Sequence, residues 1–223
     1  MRFRAPLLVL LLCLLPSTAF HGPEEKIAFV YLALGASDAA GVGATPQTEG
    51  YVYLIERELE RRLPNVILMN LGVPGAGVAL IEEEARVADQ QRTQADLVTL
   101  WAGANDLIQG ADVRRFQEEF RIILVVLRRI SKIIAVANLP DLTMLPHFRA
   151  NPNPDVTADR VAAFNRAIEL ETLAAKATLV NLFAVPLRAE WIFGGDGLHP
   201  DNDGHRIIAD EFLRALGPAL DHG

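Results

Sequence analysis

Apolar and polar positions alternate between two kinds of stretch along this chain. One kind is a short, nearly continuous apolar run: Ile27 to Leu34, Asn65 to Leu71, Asp96 to Trp101, Lys132 to Ala137 and Thr178 to Phe183. Runs of this length read as strands buried on both faces. Between them lie longer stretches in which apolar residues recur every three or four positions, as in Tyr51, Leu54, Ile55, Leu59 and Leu63. That spacing places the apolar residues on one face of a helix. It predicts helices over 51–63, 78–90, 113–131, 158–175 and 205–216. Strand–helix alternation of this kind builds a parallel sheet covered by helices on both sides. Right-handed crossovers then leave few topologies. The expectation is a single three-layer α/β/α domain over residues 24–220, with a five-stranded parallel sheet in the flavodoxin-like order 2-1-3-4-5.

Two segments interrupt the alternation. Residues 41–50 form a loop after the first strand. Residues 139–157 form a longer one that carries Pro140, Pro146, Pro152 and Pro154. It leaves the same sheet edge as the first loop, and Met144, Leu145 and Phe148, with Leu142, are its candidates for a substrate wall. The alternative is a surface excursion that packs on itself.

The N-terminus changes the picture of where such a domain works. Met1 to Arg4 is basic, Ala5 to Leu15 is apolar, and Pro16-Ser17-Thr18-Ala19 ends in small residues. This is the pattern of a cleavable signal peptide, residues 1–19, and implies an exported protein, periplasmic or extracellular. The run is short for a bilayer span, so no stable membrane insertion is expected after cleavage. Cleavage also removes Cys13, the single cysteine, which leaves no disulfide, thiol nucleophile or cysteine metal ligand. The formal charge is −7, and loss of Arg2 and Arg4 makes it −9. A mildly acidic chain without a basic run argues against nucleic acid as a partner.

Candidate chemistry gathers at the strand ends. The first strand stops at Gly35-Ala36-Ser37, with Asp38, Gly41 and Gly43 behind it. Ligands in open α/β sheets bind outside the carboxyl ends of the strands, so Ser37 stands where a nucleophile is needed. The second strand ends in Gly72-Val73-Pro74-Gly75-Ala76-Gly77. Glycines there allow close backbone approach to a ligand, or simply make a turn. The spacing is not that of a dinucleotide site. Asn105, in Gly103-Ala104-Asn105-Asp106, can donate its amide to a developing oxyanion or cap a helix. Near the C-terminus, Asp196 and His199 lie three residues apart in one turn. A carboxylate so placed can orient an imidazole as a general base, or Asp196 can cap the turn with His199 merely exposed. His147 is a weaker candidate for the base. Asp201 and Asp203 read as caps of the last helix. No third ligand accompanies Asp196 and His199, so no metal is expected, and no cofactor is required.

Taken together, these blocks resemble the SGNH (GDSL-type) hydrolase family over essentially the whole chain after the signal segment. The resemblance implies Ser37 as nucleophile, His199 as base and Asp196 as its orienter. It implies an oxyanion hole made by the Ser37 N–H, the Gly72 N–H and the Asn105 side chain. The family usually has Asp immediately before the serine, where Ala36 stands here. Asp38 is a candidate to hold the serine loop instead.

The function expected is therefore that of a secreted serine esterase working through an acyl-enzyme on a small-molecule, carbohydrate or lipid ester. Short-chain acyl and acetyl-carbohydrate esters lead. A lysophospholipase, thioesterase or acyltransferase can use the same site. The rival class is a non-catalytic ligand-binding domain of the same fold. Oligomeric state is not encoded in any of these patterns.

Overall fold

A computed structural model describes residues 28–220. The expected signal peptide lies outside the described residues. Five strands, β1 (Phe29–Gly35), β2 (Val66–Gly72), β3 (Ala95–Trp101), β4 (Ser131–Ala137) and β5 (Thr178–Val180), form one parallel sheet in the order 2-1-3-4-5. The longer helices are α2 (Tyr51–Arg62), α3 (Val78–Gln90), α5 (Val113–Ile130), α7 (Ala158–Ala174) and α8 (Asn202–Leu220). Three short ones, α1 (Ser37–Ala40), α4 (Ala104–Ile108) and α6 (Pro146–Ala150), follow the ends of β1, β3 and β4.

Period-two alternation inside each buried strand supplies both cores. Leu32 and Leu34 of β1, Val98 and Leu100 of β3, and Ile134 and Val136 of β4 face α3, α5 and α7. Their neighbours Tyr31, Ala33, Leu97, Ala135 and Ala137 face α2 and α8. Successive side chains point to opposite faces, so one apolar run feeds two layers. Thr99 is the buried polar residue of β3, and its hydroxyl pairs with the Tyr31 hydroxyl at 2.9 Å. Helix α5 begins with Asp112, whose carboxylate accepts the Arg114 and Arg115 N–H groups. This satisfies donors that the first turn leaves open. Its buried residues Phe116, Phe120, Ile123, Leu124 and Leu127 repeat at helical spacing.

The boundaries shift where side chains take over from the backbone ladder. β5 ends at Val180 rather than Phe183. Asn181 leaves the sheet because its side chain accepts the Ala184 N–H and the Asn138 amide. Helix α8 starts at Asn202, three residues early, because Asp201 accepts the Asp203 and Gly204 N–H groups. Asp201 is thus the cap expected, while Asp203 pairs with Arg206.

Helix α3 carries a cost at Glu84. Its Oε2 is buried without a hydrogen-bond partner. Burial, reinforced by Glu83, pushes its carboxyl up to about 7. The unfolded chain therefore loses this proton at lower pH than the folded one, and stability falls as pH rises from the usual carboxylate range to about 7. Glu84→Gln is expected to raise Tm by about 1–3 °C at pH 8, since solvent screens part of the effect, and to change nothing at pH 4. Thermal unfolding at the two pH values checks this.

Candidate active site

The strand ends lie in register. Gly35 is opposite Gly72 on one side and Trp101 on the other, and Trp101 is opposite Ala137. The turns that follow therefore open at one level, and β1 sits where the strand order reverses. Ser37 leaves this edge as the first residue of α1. Its Oγ lies 2.8 Å from His199 Nε2, across 162 residues of sequence. His199 Nδ1 is 2.6 Å from Asp196 Oδ2. The other oxygen, Asp196 Oδ1, accepts the Leu198 N–H at 2.8 Å and the His199 N–H at 3.1 Å. Burial opposes ionisation of Asp196. The His199 ring and the two backbone donors outweigh it and hold the carboxyl below the usual carboxylate range. A carboxylate on one ring nitrogen fixes the tautomer, so Nδ1 carries the proton and Nε2 accepts from the serine.

The serine and histidine segments meet because Gly43 lets them. A Cβ at Gly43 would stand 2.1 Å from the Pro200 oxygen and 3.1 Å from the His199 Cβ, and its φ of 93° favours glycine. His147 holds the other segment. Its N–H donates to the Gly197 oxygen at 2.8 Å, and its Nδ1 lies 3.2 Å from the Asp196 oxygen. The residue raised as an alternative base thus braces the Asp196 turn and makes no contact with Ser37.

The serine loop is not held by Asp38. The Asn70 amide donates to the Ala39 oxygen at 2.8 Å, Gln47 donates to the Ala40 oxygen, and His205 Nε2–H donates to the Val42 oxygen at 3.0 Å. His205 is fully buried, stacks on Tyr51, and accepts the Tyr51 N–H at Nδ1. Burial pushes its imidazole down, so it stays neutral in this role.

Gly72 does not take the position expected of it. Its N–H donates to Asn70 Oδ1 at 2.9 Å. A Cβ there would meet the Ala40 nitrogen at 2.4 Å, so Gly72 is small in order to let the serine loop pack on β2. It is not part of the cavity wall, whereas Gly75 is. Gly75 has a φ of 82°, and neither its N–H nor that of Ser37 has a protein acceptor among the described residues. Pro74-Gly75 is the sequence signature of a turn with positive φ at the second residue, and that signal distinguishes Gly75 within the glycine cluster.

Asn105 and Asp106 fasten this turn to β3. Asn105 Nδ2 donates to the Ala76 oxygen at 3.0 Å, its second amide hydrogen has no protein acceptor among the described residues, and Asn105 lines the cavity. Asp106 accepts the Val78 N–H with both carboxylate oxygens, at 3.1 and 3.2 Å. The pair is therefore both a helix cap and a site element, two roles that the sequence left open. Phe116 wedges under Gly103 and ties the turn to the core.

The cavity at this edge has a volume of about 300 Å³. Its apolar wall includes Ile108, Leu139, Leu142, Leu145, Leu187 and Ile192. Of the loop residues expected to wall a pocket, Leu142 and Leu145 do. Met144 is exposed, and Phe148 is buried in the core. The cause is the 3₁₀ turn at Leu142–Met144: three residues per turn align Leu142 with Leu145 and turn Met144 outward. Among the described residues no cluster of side chains could hold a metal ion, and no helix is long and apolar enough to cross a membrane.

A doubly wound parallel sheet with a serine, an imidazole and a carboxylate in hydrogen-bonded sequence at its switch point defines a serine ester hydrolase. The chain belongs to the GDSL-like lipase/acylhydrolase family, whose sequence profile matches residues 33–207. It is 24% identical over 205 residues to the spore germination lipase LipC of Bacillus licheniformis, covering 84% of this chain and 95% of that one. Its fold matches the psychrotrophic esterase EstA of Pseudoalteromonas sp. (TM-score 0.67, 20% identity, 86% of this chain and 98% of that one). It also matches a catalytic mutant of Axe2, an acetylxylan esterase of Geobacillus stearothermophilus (TM-score 0.67, 18% identity, 86% and 96%).

Proposed function

We propose that the protein cleaves carboxylic esters of apolar acyl chains through an acyl-enzyme, with Ser37, His199 and Asp196 as its catalytic residues. The observation that carries this reading is the unbroken line of short hydrogen bonds from Ser37 Oγ through His199 to Asp196. His199 Nε2 takes the Oγ proton as Oγ attacks the ester carbonyl. Asp196 stabilises the resulting imidazolium. The tetrahedral oxyanion is met by the Ser37 N–H, the Gly75 N–H and the free amide hydrogen of Asn105, donors that need no rearrangement. Imidazolium then protonates the leaving alcohol. Water, deprotonated by His199, attacks the acyl-enzyme and releases the acid, and Oγ regains its proton.

The wall argues for the acyl part. A cavity of about 300 Å³ lined by leucine and isoleucine accommodates roughly ten water-sized groups. This favours a medium acyl chain over an acetyl group on a sugar. The basic, apolar and small-residue pattern of residues 1–19 supports export of the enzyme.

A fluorophosphonate probe is expected to label the purified protein once per chain at neutral pH. Across p-nitrophenyl esters from acetyl to dodecanoyl, kcat/KM is expected to favour octanoyl over acetyl by about tenfold or more, since each buried methylene contributes. Absence of labelling overturns the hydrolase mechanism, and a preference for acetyl overturns the assignment of the wall.

A further inference from the structure

Four side chains with ionisable or amide groups line the cavity: Ser37, Asn105, His199 and Asp38. The first three are accounted for by the chemistry above. Asp38 is not, although it directly follows the nucleophile. Among the described residues no other residue donates a hydrogen bond to its carboxyl, which meets only its own backbone N–H. It does not brace the serine loop, which Asn70, Gln47 and His205 hold instead. Asp38 is partly exposed, and its carboxyl is an acidic group in an otherwise apolar wall that the chemistry above does not use. It becomes useful when a ligand brings the missing partner.

Building on the esterase reading, we infer that Asp38 is a specificity-determining residue that selects esters whose alcohol part carries a free hydroxyl, that is, partial esters of a polyol. The acyl chain cannot supply that partner, because the leucine-rich wall calls for an alkyl chain. The alcohol part is what remains to face Asp38. A hydroxyl also suits this carboxyl better than a cation does. Burial pushes Asp38 above the usual carboxylate range, with the His199 and His205 rings offsetting only part of the effect. A carboxyl accepts a hydrogen bond from a hydroxyl in either protonation state, and a hydroxyl both donates and accepts. Sites built to bond a substrate hydroxyl discriminate strongly against analogues lacking it, since the buried group is then left unpaired.

The test compares octanoate esters of methanol, glycerol and choline on the native chain and on Asp38→Leu, Asp38→Ala and Asp38→Asn. Fluorophosphonate titration of competent sites ensures that misfolded molecules are not counted. The native protein is expected to prefer the glyceryl monoester to the methyl ester by about tenfold or more in kcat/KM. In Asp38→Leu and Asp38→Ala that ratio is expected to fall to near one. Asp38→Asn, which keeps a donor and an acceptor, is expected to retain much of it. An unchanged ratio in the leucine and alanine variants overturns the inference while leaving the esterase reading intact. A native preference for the choline ester that disappears on substitution also overturns it, in favour of charge recognition. If the native chain cleaves none of the three esters, the esterase reading fails, and this inference fails with it.

Discussion

Ser37→Ala is expected to lower kcat for ester hydrolysis by at least about 10⁴-fold. Ser37 is partly exposed, and the protein partner of its hydroxyl is His199 Nε2, so loss of Oγ opens no core cavity and Tm should barely move. The same substitution should abolish fluorophosphonate labelling. His199→Gln should cost about as much, because the imidazole has one purpose at this oxygen. Combining the two should cost little more than either alone, since residues that act as a unit do not contribute additively. Steady-state rates of the two single variants and the double variant, normalised to folded protein, check this. Hydrolysis that survives Ser37→Ala would locate the nucleophile elsewhere.

Asp196→Asn is the second large effect, expected at about 10³–10⁴-fold in kcat with the fold intact. The geometry makes the direction specific. The Leu198 and His199 N–H groups both point at one oxygen of residue 196. In an asparagine those donors would retain the Oδ1 position and turn the amide nitrogen toward His199 Nδ1. An amide N–H there requires Nδ1 to accept, which moves the ring proton to Nε2. The ring nitrogen facing Ser37 Oγ then has no lone pair to take its proton. Labelling should slow in parallel with turnover, whereas binding of a substrate-like ketone should change little. Slowed turnover with normal labelling would contradict the tautomer argument. The depressed Asp196 carboxyl also has a consequence for stability: its contribution is present above the usual carboxylate range and is lost as pH falls through the lowered value.

The sheet and the order of its strands were legible because the central strands β1, β3 and β4 are buried on both faces and the edge strands β2 and β5 are still mostly apolar, so five apolar runs stand out against helical spacing. The four-residue helix at Ser37–Ala40 was not, since one turn has no period to read. The end of β5 was hidden because Asn181 leaves the ladder through side-chain bonds that a pattern of apolar residues does not reveal. At the site, Ser37, His199 and Asp196 lie within hydrogen-bond reach of one another, and Asn105 lines the same cavity. Gly72 does not line the cavity, whereas Gly75, three residues on, does. Which of several clustered glycines faces a ligand depends on whether a neighbour has already taken its N–H, and Asn70 had. The role assigned to Asp38 failed for a related reason. An acidic residue beside the serine suggests a brace, but the bracing comes from residues as distant as His205.

Ser37 leaves the sheet after its first strand, and His199 arrives after its last, 162 residues later. No short segment of the chain contains both groups, and β1 and β5 must be brought into one sheet through β3 and β4 before they meet. Turnover is therefore a readout of the completed fold: during denaturant titration it should vanish no later than the loss of helical signal, and during refolding it should be the last property to return. A protease nick in any intervening loop would test how tightly the two halves grip each other, with catalysis as the gauge.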